Sequence, residues 1–452
     1  MKKNDIFELH IEDLTAEGAG IGKLDGFPFF VKGALPGDFI HAGVTKLKKT
    51  YGFARMVDII EPSKDRVEPK CPVARRCGGC QLQALSYEAE IKYKANKVKN
   101  NLIRIGGFDA DFISSIEEPA LSAPSEFRYR NKAQYPVGYD KNGEPVAGFY
   151  ANHSHDIIPC TDCLLGVEEN EKILNVVLSW MKENGISAYD EEKHAGVVRH
   201  VLIRKGFATG EIMVCLSVNA KSIKASDKLI EALKDIPGMT HISISPNEKK
   251  TNVIMGEESK TLWGRDFIVD KIGDLSFEIS PLSFFQVNPV QMKNLYDKAK
   301  EYAALTGTET VWDLYCGAGT ISLYLARDAK EVTGVEIVPQ AIENAKKNAA
   351  RNGIENAKFF CGAAEDLVHG DGVSGSFSSS HPDVIVVDPP RKGCDAKLID
   401  TILEITPDRI VYVSCDSATL ARDLKLLAEG GYELRRFCPT DMFAKTSHVE
   451  TV

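Results

Sequence analysis

The alternation of apolar and polar residues changes grammar twice along the chain. Over residues 4–60, short alternating runs such as DIFELHIEDL and FIHAGVTKLKKTYGFARMVDII flank the turn-rich AEGAGIGKLDGFPFFVKGALPGD. Short strands with Gly and Pro turns at this spacing predict a small β-barrel. The charged, Pro-rich EPSKDRVEPKCP marks a boundary, and residues 84–105 carry the apolar period and the strong formers of a helix. Strands return from Arg128: residues 126–150 hold an Asn-Gly turn between two alternating runs, and 197–218 read as a second hairpin. SDKLIEALKDI reads as a short helix. Near residue 280 strands begin to alternate with helices, at 311–316, 332–337, 357–362, 384–388 and 409–414, which predicts a doubly wound parallel α/β sheet. A Ser/Gly-rich run at 368–382 reads as a mobile inserted loop. The expected organisation is a barrel at 1–62, a mixed α+β domain at 63–278 and an α/β domain at 279–452.

Composition adds limits. The 452 residues are 43% hydrophobic and 26% charged, enough for two to four packed domains and too apolar for disorder. No run approaches the ~18 apolar residues of a membrane span. The N-terminus turns polar after two lysines, unlike a signal peptide, so a cytoplasmic protein is expected. Its 11 cysteines are then thiols, metal ligands or catalysts rather than disulfides. The net charge of −9 argues against a polyanionic partner, but it is segregated: residues 41–108 hold 14 Lys and Arg against 6 Asp and Glu, a net of +8, leaving −17 elsewhere. The stripe Lys46, Lys48, Lys49, Arg55, Lys92, Lys94, Lys97 and Lys99 reads either as a solvated face or as a footprint for phosphates.

Candidate chemistry lies at the strand ends of the last domain. Asp313-Leu-Tyr-Cys-Gly-Ala-Gly319 joins a strand to a helix, where glycines let a ligand approach the backbone. Ser322 stands where a dinucleotide site has its third glycine, which disfavours a pyrophosphate. Glu336 ends the next strand, where a carboxylate can hold ribose hydroxyls. This pattern resembles a class I S-adenosylmethionine-dependent methyltransferase. Asp388 ends another strand and precedes two rigid prolines and Arg391. Cys415 ends the last one, at the rim where the ligand sits, and reads as a nucleophile rather than a core residue. The resemblance set out in the next paragraph implies uracil as the base: its carbon 5 is too weak a nucleophile to take a methyl group unaided, whereas thiolate addition at carbon 6 makes an enolate that can. A base must then remove the carbon-5 proton, and MFAKTSHVETV offers His448 and Glu450.

FFQVN (284–288), DLYCGAG, DPPRKG, YVSCDSATLARD and MFAKTSHVE together resemble the RNA uracil-C5 methyltransferase family, over essentially the whole chain and including an N-terminal barrel similar to a TRAM domain. The resemblance implies S-adenosylmethionine contacts at Gln286, Tyr315, Glu336 and Asp388, a nucleophile at Cys415 and a base at Glu450. It departs at Ala444, where the family usually has proline, and at Asp416-Ser417, where Asn-Pro is common. The chain also stops at Val452, inside what resembles the last strand, so a weakened sheet edge beside Glu450 is expected.

Cys71, Cys77 and Cys80, with Cys160 and Cys163 far along the chain, suit either zinc or an iron–sulfur cluster by spacing. The resemblance implies a [4Fe–4S] cluster on Cys71, Cys77, Cys80 and Cys163, and leaves Cys160 without a role. It also implies a monomeric enzyme acting on RNA, with 23S ribosomal RNA favoured over transfer RNA. The target uridine would be flipped out of its loop. Arg128, Arg130 and Lys132, with Tyr129 and Tyr135 interleaved, read either as phosphate and base contacts or as a plain strand face. The rival readings are methylation of cytosine or of a base nitrogen, and an RNA-binding iron–sulfur protein with a degenerate methyltransferase fold.

Overall fold

A computed structural model describes residues 1–152, 154–364, 366 and 381–452; most of the Ser/Gly-rich run lies outside them. Six strands, Ile6–His10, Asp13–Leu14, Gly20–Leu24, Phe27–Lys32, Phe39–Leu47 and Gly52–Glu61, form one sheet in the spatial order first, fifth, sixth, fourth, third, second. Their alternation turns Phe29, Val31, Ile40, Ala42, Val44 and Ala54 inward, and leaves Lys46, Lys48, Lys49 and Arg55 exposed. Gly52 is required where it stands, because a Cβ there would run into the Phe29 ring.

The central sheet has seven strands. Lys132–Tyr139, Val198–Lys205 and Ile212–Val218 form its middle, with Met239–Pro246 and Lys260–Gly264 on one side and Pro145–Tyr150 and Ile157–Pro159 on the other. Both predicted hairpins are present within it. Helices Glu169–Glu183 and Ser226–Lys234 cover it, burying Ile173, Val177, Trp180, Leu229 and Leu233.

The last sheet is all parallel, in the order Ala357–Cys361, Glu331–Glu336, Thr310–Asp313, Val384–Val387, Arg409–Tyr412. All five predicted strands are there, each ending within three residues of its expected end. Near-continuous apolar strands such as VIVV, buried along their whole length, are what a sheet covered on both faces needs. The order reverses on either side of Thr310–Asp313, which opens a crevice at the carboxyl ends of the strands.

The helix Tyr87–Arg104, expected at 84–105, starts at Ser86, whose hydroxyl accepts from the Ala89 N–H at 3.4 Å. It lies within the expected 63–278 domain and packs on the helix Ser417–Glu429 of the last one, where Val98 and Leu102 meet Ala421, Phe437 and Val449. The stripe reading fails on this helix. Lys94 is 1% exposed and ion-paired to Glu90 and Asp441. Lys97 donates to the Ala16 and Ser447 carbonyls, Lys99 pairs with Glu117 and Lys92 with Glu88. Helical periodicity placed these lysines on several faces, so they do not form one solvated row. Among the described residues, no helix is long and apolar enough to cross a membrane.

Candidate active site

Asp313 and Asp388 end neighbouring strands, with Asp313 opposite Val386 in register. Asp313 is fully buried; Ser322, in place of the third glycine, donates its hydroxyl to Asp313 Oδ2 at 2.6 Å, while Oδ1 has no partner. The turn after it is fixed by Cys316 N–H donating to the Val335 carbonyl at 3.0 Å. Gly319 closes the turn at φ 80°, and a Cβ there would crowd Ala345 and Phe359 at 3.1 Å. This glycine is therefore needed for both its dihedral and its space. Glu336, at the end of the adjacent strand, accepts from the Val338 N–H at 2.9 Å.

Cys415 and Glu450 are brought together by an antiparallel bridge. Ser414 and Thr451 exchange two backbone hydrogen bonds of 2.9 Å, so one step along each segment sets residue 415 beside residue 450. Glu450–Thr451 pairs on its other edge with Pro439–Thr440, and Val452 and Cys438 exchange backbone bonds of 2.9 and 3.1 Å. The end of the chain is thus bonded on both sides. Asp416 caps the helix Ser417–Glu429, accepting from Ala418 and Thr419 N–H at 2.9 and 3.1 Å. Asp and Asn are equally strong N-caps, so the departure at 416 keeps the cap.

The electrostatics are governed first by burial. Burial pushes the Asp388 carboxyl up to about 7, with the Asp313 charge adding to it. Burial holds Asp313 at about 6 despite the Ser322 bond, and raises Glu450 to about 8 with help from Asp388. Cys415, half-buried, is raised to about 11 by burial and by the Glu450 and Asp388 charges; Arg391 is the cation that opposes this at both Cys415 and Glu450. His448 goes the other way, to about 4, through burial and the nearby Arg391, Lys97 and Lys94. Tyr296 lies under this group, 2% exposed, sharing a 2.9 Å hydrogen bond with Thr320 and feeling Asp388, Asp313 and Glu450.

Of the sequence-predicted residues, Asp388, Cys415 and Glu450 are thus mutually close. Tyr315 sits in the glycine turn. Gln286 lies in the segment before the helix Pro289–Ala303, where its carbonyl accepts from Asn131 Nδ2 at 3.0 Å. Sequence reasoning missed Tyr296, whose helical spacing looks like core, and undervalued Arg391, whose only signal was its place after the two prolines.

Cys71, Cys77, Cys80, Cys160 and Cys163 line one cavity of about 300 Å³, together with Arg130 and Lys132. Burial, together with the nearby thiols, pushes Cys80 and Cys160 up to about 12. Soft thiol donors of this number fit a metal–sulfur group. As placed, however, no group of three or more His, Cys, Asp or Glu among the described residues could hold a metal ion.

The reading of Tyr129 and Tyr135 as base-stacking residues is corrected: they are 3% and 0% exposed. Tyr129 donates its hydroxyl to the Ala444 carbonyl at 3.0 Å, and Tyr135 packs on Phe149. Arg128 is tied to Asp162 at 2.6 Å and to the carbonyls of Cys163 and Gly166. Tyr135 is buried in the strand Lys132–Tyr139 against the central core, Tyr129 is buried outside any strand against Ala444, and local carboxylate and carbonyl groups occupy Arg128.

The sequence profile of the tRNA (Uracil-5-)-methyltransferase family matches residues 208–452, and that of the TRAM domain matches 2–57. An uncharacterized RNA methyltransferase of Halalkalibacterium halodurans is 51% identical over 456 residues, spanning all of this chain and 97% of the relative. An uncharacterized RNA methyltransferase of Clostridium tetani is 45% identical over 453 residues, spanning all of this chain and 96% of the relative. Among solved structures, the Pyrococcus abyssi tRNA (uracil-54, C5)-methyltransferase in complex with S-adenosyl-L-homocysteine superposes with a TM-score of 0.78 at 28% identity, over 98% of each chain.

Proposed function

As this chain belongs to the tRNA (uracil-5-)-methyltransferase family, we propose that it methylates carbon 5 of a uridine in RNA through a covalent bond to Cys415, with Glu450 as the base. The observation that carries this is the bridge between Ser414 and Thr451, which sets a thiol and a buried carboxyl side by side at the strand ends. S-adenosylmethionine, the methyl donor when bound, brings a sulfonium, and the half-buried Asp388, with the buried Asp313 beside it, suits a cation. Gln286, Tyr315, Glu336 and Asp388 are the proposed contacts.

Cys415 acts first. Burial and the Glu450 and Asp388 charges hold its thiol at about 11, and Arg391 is the cation that favours the thiolate. The thiolate then forms a bond to carbon 6, and the electron pair of the carbon 5–carbon 6 double bond makes carbon 5 the nucleophile that takes the methyl group. Glu450 next removes the proton from carbon 5, the double bond reforms, and Cys415 leaves as thiolate. A carboxyl raised to about 8 is a stronger base than an ordinary glutamate, close to the operating pH. His448, held at about 4, is a weaker one.

For the substrate, we propose 23S ribosomal RNA on the resemblance of the barrel and cysteine arrangement. Transfer RNA is the second reading, favoured by the full-length likeness to a tRNA (uracil-54, C5)-methyltransferase. The deciding experiment presents RNA containing 5-fluorouridine, prepared separately as 23S RNA and bulk tRNA, with S-adenosylmethionine. A denaturation-stable protein–RNA adduct is expected with one of them and is lost in Cys415→Ala. No adduct with either RNA refutes the mechanism, and an adduct that survives Cys415→Ala refutes the nucleophile.

The cysteine cavity is proposed to hold a [4Fe–4S] cluster on Cys71, Cys77, Cys80 and Cys163, as a structural rather than an electron-transfer group. The thiols that line the cavity suit either zinc or an iron–sulfur group, and the family resemblance is what favours the cluster. The exposed lysines of the barrel and its TRAM match support an initial electrostatic grip on RNA there.

A further inference from the structure

Residues 441–445 begin the segment that ends in Glu450, and charges from distant parts of the chain hold them. Lys445 is 3% exposed, with φ at 67°. Its N–H donates to Glu90 Oε1 at 2.7 Å. Its ammonium lies 3.3 Å from Glu90 Oε2 and 2.5 Å from Glu126, over the Tyr87 ring. Its carbonyl accepts from the N–H groups of Gln81 and Leu82, the two residues after Cys80, at 3.1 and 3.0 Å. Lys94 joins Glu90 to Asp441 at 2.8 and 2.6 Å and donates to the Phe443 carbonyl at 3.1 Å. The Tyr87 hydroxyl donates to Asp441 at 2.7 Å.

A buried ion array is a poor source of stability, because desolvation offsets the attraction, but it can specify one arrangement over others. The 441–445 turn already has apolar packing through Met442 and Ala444, both fully buried. A non-glycine residue at positive φ persists only where its surroundings over-determine it. Here both backbone polar groups of Lys445 and its ammonium are bound at once. That turn sets the direction in which the chain enters the site five residues later.

We propose that Lys445 is a positioning residue for the base. By clamping the 441–445 turn between the helix Tyr87–Arg104 and the segment after Cys80, it holds the Glu450 carboxyl in place for the carbon-5 proton. It therefore governs the second half of the reaction, proton removal and thiolate departure, more than the first, thiolate addition. The proposal rests on the function proposed above and deepens it.

The test uses full-length Lys445→Met with radiolabelled S-adenosylmethionine and unmethylated 23S RNA and bulk tRNA from cells lacking the gene. Turnover is expected to fall at least tenfold, while the share of label in RNA that stays bound to protein under denaturing conditions rises at least tenfold. Adduct formation on 5-fluorouridine RNA and binding of S-adenosylhomocysteine stay within threefold of the unaltered protein, and Lys445→Arg restores most of the turnover. Should Lys445→Met fail to fold, Glu126→Gln removes the partner at the half-exposed end of the clamp and should raise the protein-bound share at least threefold. Equal losses in addition and turnover, or no rise in protein-bound label in the variant that folds, overturn the proposal. An unaltered protein that forms no adduct on 5-fluorouridine RNA overturns the function beneath it instead.

Discussion

Asp388 gives the sharpest handle on the donor site. Raising a carboxyl from its ordinary 3.8 to about 7 corresponds to about 4 kcal/mol against the charged form, at 1.36 kcal/mol per pH unit. A cation about 4 Å away at an effective dielectric near 20 returns about 4 kcal/mol. The two effects are equal in size, so a bound sulfonium is able to ionise Asp388 and be held by it. Water in the crevice and Asp313 next to it reduce what one side chain contributes, so Asp388→Asn should weaken S-adenosylmethionine by about ten- to a hundredfold, or about 1.4–2.8 kcal/mol. S-adenosylhomocysteine, uncharged at sulfur, should change by less than about threefold on the same argument. The pH dependence has a definite sign. The free site keeps the Asp388 proton up to about pH 7, and binding the cation expels it, so affinity rises with pH and levels off above that value. Calorimetric titration from pH 5.5 to 8.5, in buffers of different ionisation heat, reads both the affinity and the proton released. Equal losses for the two ligands, or an unchanged pH slope in the variant, would refute the reasoning.

Glu450→Gln should lower turnover by about 10²–10⁴-fold and leave methylated RNA bonded to Cys415, visible as labelled protein–RNA complex under denaturing conditions; free methylated RNA at the normal rate would exclude Glu450 as the base. Replacing Lys46, Lys48 and Lys49 with Gln should reduce the slope of log affinity against log salt by about 2 if the barrel grips single-stranded RNA, and an unchanged slope places the RNA elsewhere. Lys94→Met, which strands Glu90 and Asp441 without their shared cation, should cost about 3–5 kcal/mol of stability in urea unfolding; a loss under about 1 kcal/mol, the worth of an exposed pair, would mean that the array is not buried in solution. Anaerobically purified protein should contain iron and acid-labile sulfide, both lost in Cys80→Ser; zinc without iron would remove the cluster from the account.

The parts of the site that read most easily were those tied to local backbone demands. Gly319 must be glycine because of φ 80° and the nearby Phe359 ring, and the turn that needs it is continuous in sequence. The same holds for Asp388 and Cys415, which end strands recognisable from their own apolar runs. The basic segment was harder, because charge counted along a helix does not say which way each side chain points. Lys94 and Lys46 are alike in the sequence, yet one is buried between two carboxylates and the other is exposed. Tyr129 and Tyr135 misled for a related reason: an aromatic beside a cation looks like a nucleic-acid contact until tertiary packing buries it.

The sequence by itself determined the barrel, the hairpins, the five parallel strands and the chemistry at their ends. Period, turn residues and strand-terminal side chains are all set within a few positions of one another. Only the tertiary structure decided that Glu450 meets Cys415, since the Ser414–Thr451 bridge joins segments of the chain with a whole helix between them. It also decided that Lys445 meets Glu90 across 355 residues, and that five cysteines in two groups share one cavity. Those contacts depend on how the elements pack, and burial then changes the chemistry of the groups they bring together. A net charge of −9 becomes an exposed cluster of lysines on the barrel, a buried array of opposite charges and a crevice lined by acids.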